Sequence, residues 1–167
     1  MTFGRDASVT SRRSIVYIEL DEESFSRHHA EIVHERAVAV FDLLEDNYFK
    51  LKGDRYPSGP YHLKLSLLQD KLIWEVQTTK GKTILKFRLV IKPFRTVIKD
   101  YRIVCESYFD AIKTQRPAQI EAIDMGRRAL HNEGAVMLME RLEVYVDLDS
   151  NTARRLFTLL CVLHMRV

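Results

Sequence analysis

The sequence predicts an α+β domain: an antiparallel sheet of about four strands with helices packed on one face, and a helical C-terminal half. Three observations predict it. Apolar residues alternate through successive runs between Tyr61 and Lys92, with short turns between them. A β-branched and aromatic run lies near the N-terminus, from Ser14 to Leu20. From Phe94 onward the apolar spacing changes to three and four residues, the period of a helix.

Taken in order, Met1 to Ser14 is rich in Ser, Thr and Arg and reads as a flexible tail, which leaves 15–167 as one domain. Ser14 to Leu20 (SIVYIEL) reads as a strand with Val16, Ile18 and Leu20 on one face. Asp21 to Glu31 is polar and reads as a loop. Val33 to Asp46 reads as a helix whose stripe is Val33, Ala37, Val40, Phe41 and Leu44. Asn47 to Pro60, with Gly53, Pro57, Gly59 and Pro60, reads as a loop with room for a short extended piece.

The meander follows. Leu63, Leu65 and Leu67 oppose Lys64 and Ser66, and Leu72, Trp74 and Val76 oppose Glu75 and Gln77. Leu85, Phe87, Leu89 and Ile91 oppose Lys86, Arg88 and Lys92. Gln69 to Lys71 and Thr79 to Lys82 reverse the chain, Gly81 supplying a positive φ at little cost. The apolar face this creates must be covered, and the remaining helices are there to cover it. The strand near the N-terminus is expected to join the meander, at a position the sequence leaves open.

Pro93 suits a first helical turn. The helix after it carries Phe94, Val97, Ile98, Tyr101, Cys105, Tyr108, Phe109 and Ile112 on one side. Arg95, Lys99, Arg102, Glu106, Asp110 and Lys113 lie opposite, on the side expected to meet solvent. Pro117 opens the next helix, with Glu121 and Asp124 early and Arg127 and Arg128 later, an order that complements the helix dipole. Gly126 inside it costs about 1 kcal/mol relative to alanine. Close approach of another element is the expected compensation, and a ligand needing backbone access is the alternative. Gly134 is expected to end or bend this helix. Asp149 or Ser150 caps the last helix, whose Leu156 to Leu163 run is apolar nearly all round and marks it as the central buried one.

Composition excludes some classes of function. With 26 basic and 23 acidic residues, the net charge of +3 gives only modest long-range attraction to nucleic acid or anionic lipid. Cys105 and Cys161 sit in apolar runs without a CxxC motif and read as small buried hydrophobes. The longest apolar run spans 156–163, against the roughly 20 residues of a membrane span. No secretory h-region precedes the first strand, so the chain is expected to be cytoplasmic and to make no membrane contact.

The densest polar constellation is Ile120 to Ala135 (IEAIDMGRRALHNEGA). Asp124, Arg128 and His131 stand at i, i+4 and i+7 and share a helix face, with Arg127, Asn132 and Glu133 beside them. An acid, a guanidinium and an imidazole together can bind an anion or move a proton. The plainer reading is an i,i+4 ion pair on a solvated face. Lys64, Lys86, Arg88 and Lys92 make the sheet's outer face basic, a candidate RNA surface. The stacking aromatics such a surface wants, Trp74 and Phe87, are expected on the core side, and charged residues that deter edge pairing explain the same pattern. His28, His29 and His34 lack the accompanying ligands that a zinc site needs. Neither a metal nor a cofactor is implied, and the nucleophile-elbow and phosphate-loop motifs are absent.

HERAVAVFDLLEDN, PFRTVIKDYRIVCESYFDAI, IEAIDMGRRALHNEGA and TARRLFTLLCVLHMR resemble the blocks of uncharacterised protein family 0262 of alphaproteobacteria, over nearly the whole chain from Ile15 onward. The resemblance implies a cytoplasmic bacterial protein of similar length and brings no activity or functional residue with it. The leading expectation is therefore a small binding or regulatory module that acts through protein contacts, as a homo-oligomer or with a protein partner of unassigned identity, rather than an enzyme. An anion binder or enzyme built on Asp124, Arg128 and His131 is the first alternative, and an RNA-contacting protein using the basic sheet face is the second.

Overall fold

The computed structural model describes residues 2–4, 12–25 and 30–164. Its elements are β1 (Thr2–Gly4), β2 (Ile15–Leu20), α1 (Ala30–Glu45), β3 (Phe49–Leu51), β4 (Tyr61–Leu68), β5 (Lys71–Gln77) and β6 (Thr83–Val90), then a 3-10 turn (Lys92–Phe94), α2 (Arg95–Thr114), α3 (Pro117–Leu142), β7 (Val146–Leu148) and α4 (Ser150–Leu163). The architecture is α+β, with the main sheet ordered β1-β2-β4-β5-β6 and β3 paired with β7 in a second, two-stranded sheet.

The meander has the register its alternation requires, with Leu65 opposite Trp74 and Trp74 opposite Phe87. The sheet is mixed rather than wholly antiparallel, because β2 runs parallel to β4. A parallel pair needs a long crossover, and α1 supplies it between these two strands. The sheet also has one strand more than expected. Thr2–Gly4, inside the segment read as a tail, pairs antiparallel with β2, while 1 and 5–11 of that segment lie outside the described residues.

α4 lies at the middle of the helical layer. It packs against α1 on one side and α3 on the other, and α3 in turn packs against α2. Asp149 caps α4 by accepting from the Thr152 backbone N–H at 2.8 Å. The apolar run ahead of it is buried from Leu159 through Leu163, together with Leu156 and Phe157. The 3-10 turn, with Pro93 in its first positions, leads into α2.

Several expectations are corrected. α1 buries Ile32, Arg36, Ala39, Val40, Leu43 and Leu44, whereas Val33 and Phe41 of the expected stripe are exposed. Arg36 holds a place on the buried face and disguises it in the sequence, and Asn47, just past the helix, anchors its end. The Arg36 guanidinium lies 5.7 Å from the Phe25 ring centre. The Asn47 side chain accepts from Ile15 N and donates to Ile15 O and Leu43 O, at 2.8 to 2.9 Å, tying α1 to β2. α3 runs unbroken through Gly134. The close approach expected at Gly126 is found at Gly134 instead, against the Phe157 ring, while Gly126 has no atom within 4 Å of where a Cβ would stand. On α2 the buried residues are Val97, Ile98 and Ala111, so the stripe is covered in its first turns and emerges toward Phe109 and Ile112.

Candidate functional site

The Ile120 to Ala135 segment divides into separate groups. Asp124 accepts from Arg127 through Nη2 at 2.6 Å and Nε at 3.0 Å, and from Arg128 Nε at 2.9 Å. Hydrogen bonding to Arg127, with the charges of both arginines, holds the Asp124 carboxyl below the usual carboxylate range. Arg127 continues inward: its guanidinium lies 5.2 Å from the Tyr108 ring centre, and Tyr101 adds to Asp124 in raising it above its ordinary value. Burial pushes the Tyr101 hydroxyl well above the ordinary tyrosine value, so this hydroxyl serves as a neutral hydrogen-bonding group. Arg128 extends outward, with 67% of its side chain exposed.

His131 turns away from this trio into the core. Its Nε2 lies 2.8 Å from Thr158 Oγ1, and its ring meets Tyr101 and Phe157 at 5.2 and 5.3 Å. The Thr158 hydroxyl donates to Arg154 O, so its oxygen accepts from Nε2–H of His131. That network leaves Nδ1 of His131 as a buried acceptor with no hydrogen-bond partner among the described residues. Burial first, then the charges of Arg154 and Arg127, push the imidazole down to about 4. It is a neutral core histidine at physiological pH. Asn132 accepts from Arg154, and Glu133 is exposed. The structure thus brings Asp124, Arg127 and Arg128 together, joins them to Tyr101 and Tyr108, and sets His131, Asn132 and Glu133 apart.

On the outer sheet face, the register places Glu19, Lys64, Glu75 and Lys86 in one row across β2, β4, β5 and β6. The signs alternate along it. Lys64 pairs with Glu19 at 3.1 Å, which raises the Lys64 ammonium above its ordinary value. The Glu75 carboxyl is held low, chiefly by a hydrogen bond from Thr83. Arg88 stands opposite Ile73, and Lys92 begins the 3-10 turn. Trp74 and Phe87 are buried and stacked on each other at 5.7 Å, while Tyr17 packs at a tilt against His62 outside. His34 is exposed on α1, and His28 and His29 lie outside the described residues.

A cleft of about 380 Å³ was missed by the sequence reading. It opens between the β4–β5 turn, the first half of α2 and the end of α4. Arg95, Lys99 and Arg102 line it together with the apolar Leu67, Ile91 and Ile98. In the sequence these cations fall on the solvent side of α2, and their one signal is the i, i+4, i+7 spacing that puts all of them on one helix face.

Farther along, the α2–α3 hairpin extends past the core. Phe109 is 63% exposed, Ile112 50% and Met125 66%. The residues α3 buries all lie in its second half, beginning at His131.

Comparison with known proteins places this geometry in a family. The family described as uncharacterised protein family UPF0262 matches residues 12–166. The chain belongs to this family. The UPF0262 protein of Rhodospirillum rubrum is 54% identical over 91% of this chain and 92% of its own length. Relatives in Jannaschia and Mesorhizobium japonicum are 51% identical, covering 90% and 93% of this chain and 96% of each relative. No solved structure matches the chain. UPF0262 as described carries no activity, substrate or partner. No helix among the described residues is long and apolar enough to cross a membrane.

Proposed function

We propose that this UPF0262 protein is a cytoplasmic, non-catalytic module that works through protein contacts, and that its first partner is a second copy of itself, bound through the α2–α3 hairpin. One observation carries the reading: the outer half of the hairpin exposes Phe109, Ile112 and Met125 beyond the core. Scattered exposed apolar residues need no explanation, but a group on one projecting element marks a contact surface.

Charge spacing on α3 favours a second copy over an unrelated partner. Glu121 stands four residues before Met125 and Arg128 three residues after it. An antiparallel crossing of two α3 helices at Met125 sets Glu121 of each copy opposite Arg128 of the other, the self-complementarity a two-fold interface requires. Gly126 beside the crossing has open space around it, so its helix penalty has no compensation among the described residues. A helix backbone from the partner supplies that compensation. The two thiols, Cys105 and Cys161, are free and are raised chiefly by burial, behaving as small apolar groups, which suits a reducing compartment.

Sedimentation equilibrium tests the reading. The wild-type chain is expected to be dimeric at micromolar concentration, and Met125→Glu to be monomeric with an unchanged circular dichroism spectrum. A wild-type monomer across the accessible range overturns it.

A further inference from the structure

We infer that the cleft between the β4–β5 turn, α2 and α4 is a binding site for a small phosphomonoester, a ligand class distinct from the protein contact proposed above. Arg95, Lys99 and Arg102 line it from successive turns of one helix face, with Asp70 as the carboxylate of the lining and His164 closing it from the end of α4. Arg102 is also paired with Glu106 at 3.9 Å; with Arg95 and Lys99 beside it, the cleft stays positive on balance, which favours an anionic ligand. The spacing along α2 is about 10 Å from Arg95 to Arg102, within reach of long side chains converging on one group. The arginines bring planar donor forks suited to phosphate oxygens, and the lysine brings a point charge.

The start of α2 reinforces the preference. The 3-10 turn runs straight into it, with the Arg95 N–H donating to Lys92 O, and its first turn contains no acidic residue, so no carboxylate there competes with an anion where Arg95 enters the cleft. Opposite, the β4–β5 turn is fixed by the Ile91 N–H bond to Asp70 O at 2.9 Å. Gln69 in this turn holds φ at 57°, a conformation that L residues other than Asn and Asp adopt rarely. That geometry places Gln69 and Asp70 together in the lining, where an amide and a carboxylate can receive a hydroxyl or amino group. Leu67, Ile91 and Ile98 supply apolar contact for the rest of the ligand. A volume of about 380 Å³ lies within the range of small-molecule sites. The ligand is thus a phosphomonoester with a hydroxyl- or amine-bearing body, of the size of a sugar phosphate or a nucleoside monophosphate.

Amide chemical-shift titration of the full chain tests this, with adenosine monophosphate, glucose 6-phosphate, inorganic phosphate and adenosine as probes. Phosphate-bearing probes are expected to shift Gln69, Asp70 and Ile91 to Arg102, and adenosine alone to leave them unmoved. Which phosphate ester binds tighter separates a nucleotide from a sugar phosphate. Arg95 and Lys99 are exposed, so Arg95→Ser/Lys99→Ser should fold normally, and it should weaken binding at least tenfold. No shift with any phosphate ester at millimolar concentration overturns the inference. So does binding that survives the double substitution, or shifts confined to Lys64 and Lys86 on the outer sheet face.

Discussion

Gly134 of α3 lies directly against the ring of Phe157 of α4: a Cβ added at Gly134 would stand 2.1 Å from Cζ of Phe157. The ring cannot retreat, because Phe157 is fully buried. Gly134→Ala is therefore expected to destabilise the fold by about 1–3 kcal/mol, the usual result of forcing atoms into a packed core. Gly126→Ala, on the same helix but facing open space, is expected to stabilise it by up to about 1 kcal/mol. Urea denaturation of the two variants at a dilution where the chain is monomeric checks the contrast.

His131 gives the fold a specific acid sensitivity. Its native value is pushed down to about 4 from an ordinary 6.5. Between those values the unfolded chain binds a proton that the native chain refuses. Stability is therefore expected to fall as pH drops from about 6.5 to about 4, by up to roughly 3 kcal/mol from this residue. His131→Gln retains a donor for Thr158 without a titrating ring and is expected to flatten that part of the stability–pH curve. A variant curve parallel to wild type would mean that His131 is not the group responsible.

Asn47 joins α1 to β2 by three hydrogen bonds made from a single buried side chain. Asn47→Ala leaves the Ile15 N–H buried without that acceptor, a loss of about 2–3 kcal/mol for the unmet groups. Thermal denaturation is expected to show a clearly lowered midpoint. Amide exchange should be faster at Ile15 and in the β2–β4 pairing than in β5–β6.

The Glu19–Lys64–Glu75–Lys86 row makes the outer face a structural ladder of alternating charge. Lys86→Glu sets like charges opposite each other at Glu75 and is expected to destabilise by about 0.2–1 kcal/mol. High salt should reduce the difference from wild type. Absorbance at 260 nm on purification is expected to be the same for wild type and variant.

Much of the fold was legible in local pattern. The alternation of Leu63, Leu65, Trp74, Val76, Phe87 and Leu89 anticipates the meander, because strict alternation leaves one register that buries a single face. Leu156 to Leu163 identifies the central helix because it has no polar side. What was hidden depends on contacts distant in sequence. Nothing near Ile15 says that β2 will run parallel to β4, and Phe49 pairs with Leu148, far away in the sequence. The buried face of α1 is hidden because Arg36 occupies it while Val33 and Phe41 lie exposed, so the polar pattern points the wrong way. At the candidate site, the helical spacing of Asp124, Arg127 and Arg128 was legible, whereas the inward turn of His131 depends on Thr158 and Phe157 of another helix. The cleft was illegible because its cations look, in sequence, like the solvent face of α2.

The self-association of the hairpin is tested most directly by pulsed dipolar electron resonance on Met125→Cys carrying a spin label, in a chain whose Cys105 and Cys161 are changed to Ser and Ala. Paired α3 helices lie about 8–10 Å apart. Labels crossing at their own two-fold axis are expected to give one short inter-label distance that Glu121→Arg abolishes and Glu121→Arg/Arg128→Glu restores. Absence of intermolecular coupling at concentrations far above micromolar, or a short distance indifferent to the charge reversals, would contradict a two-fold contact at Met125.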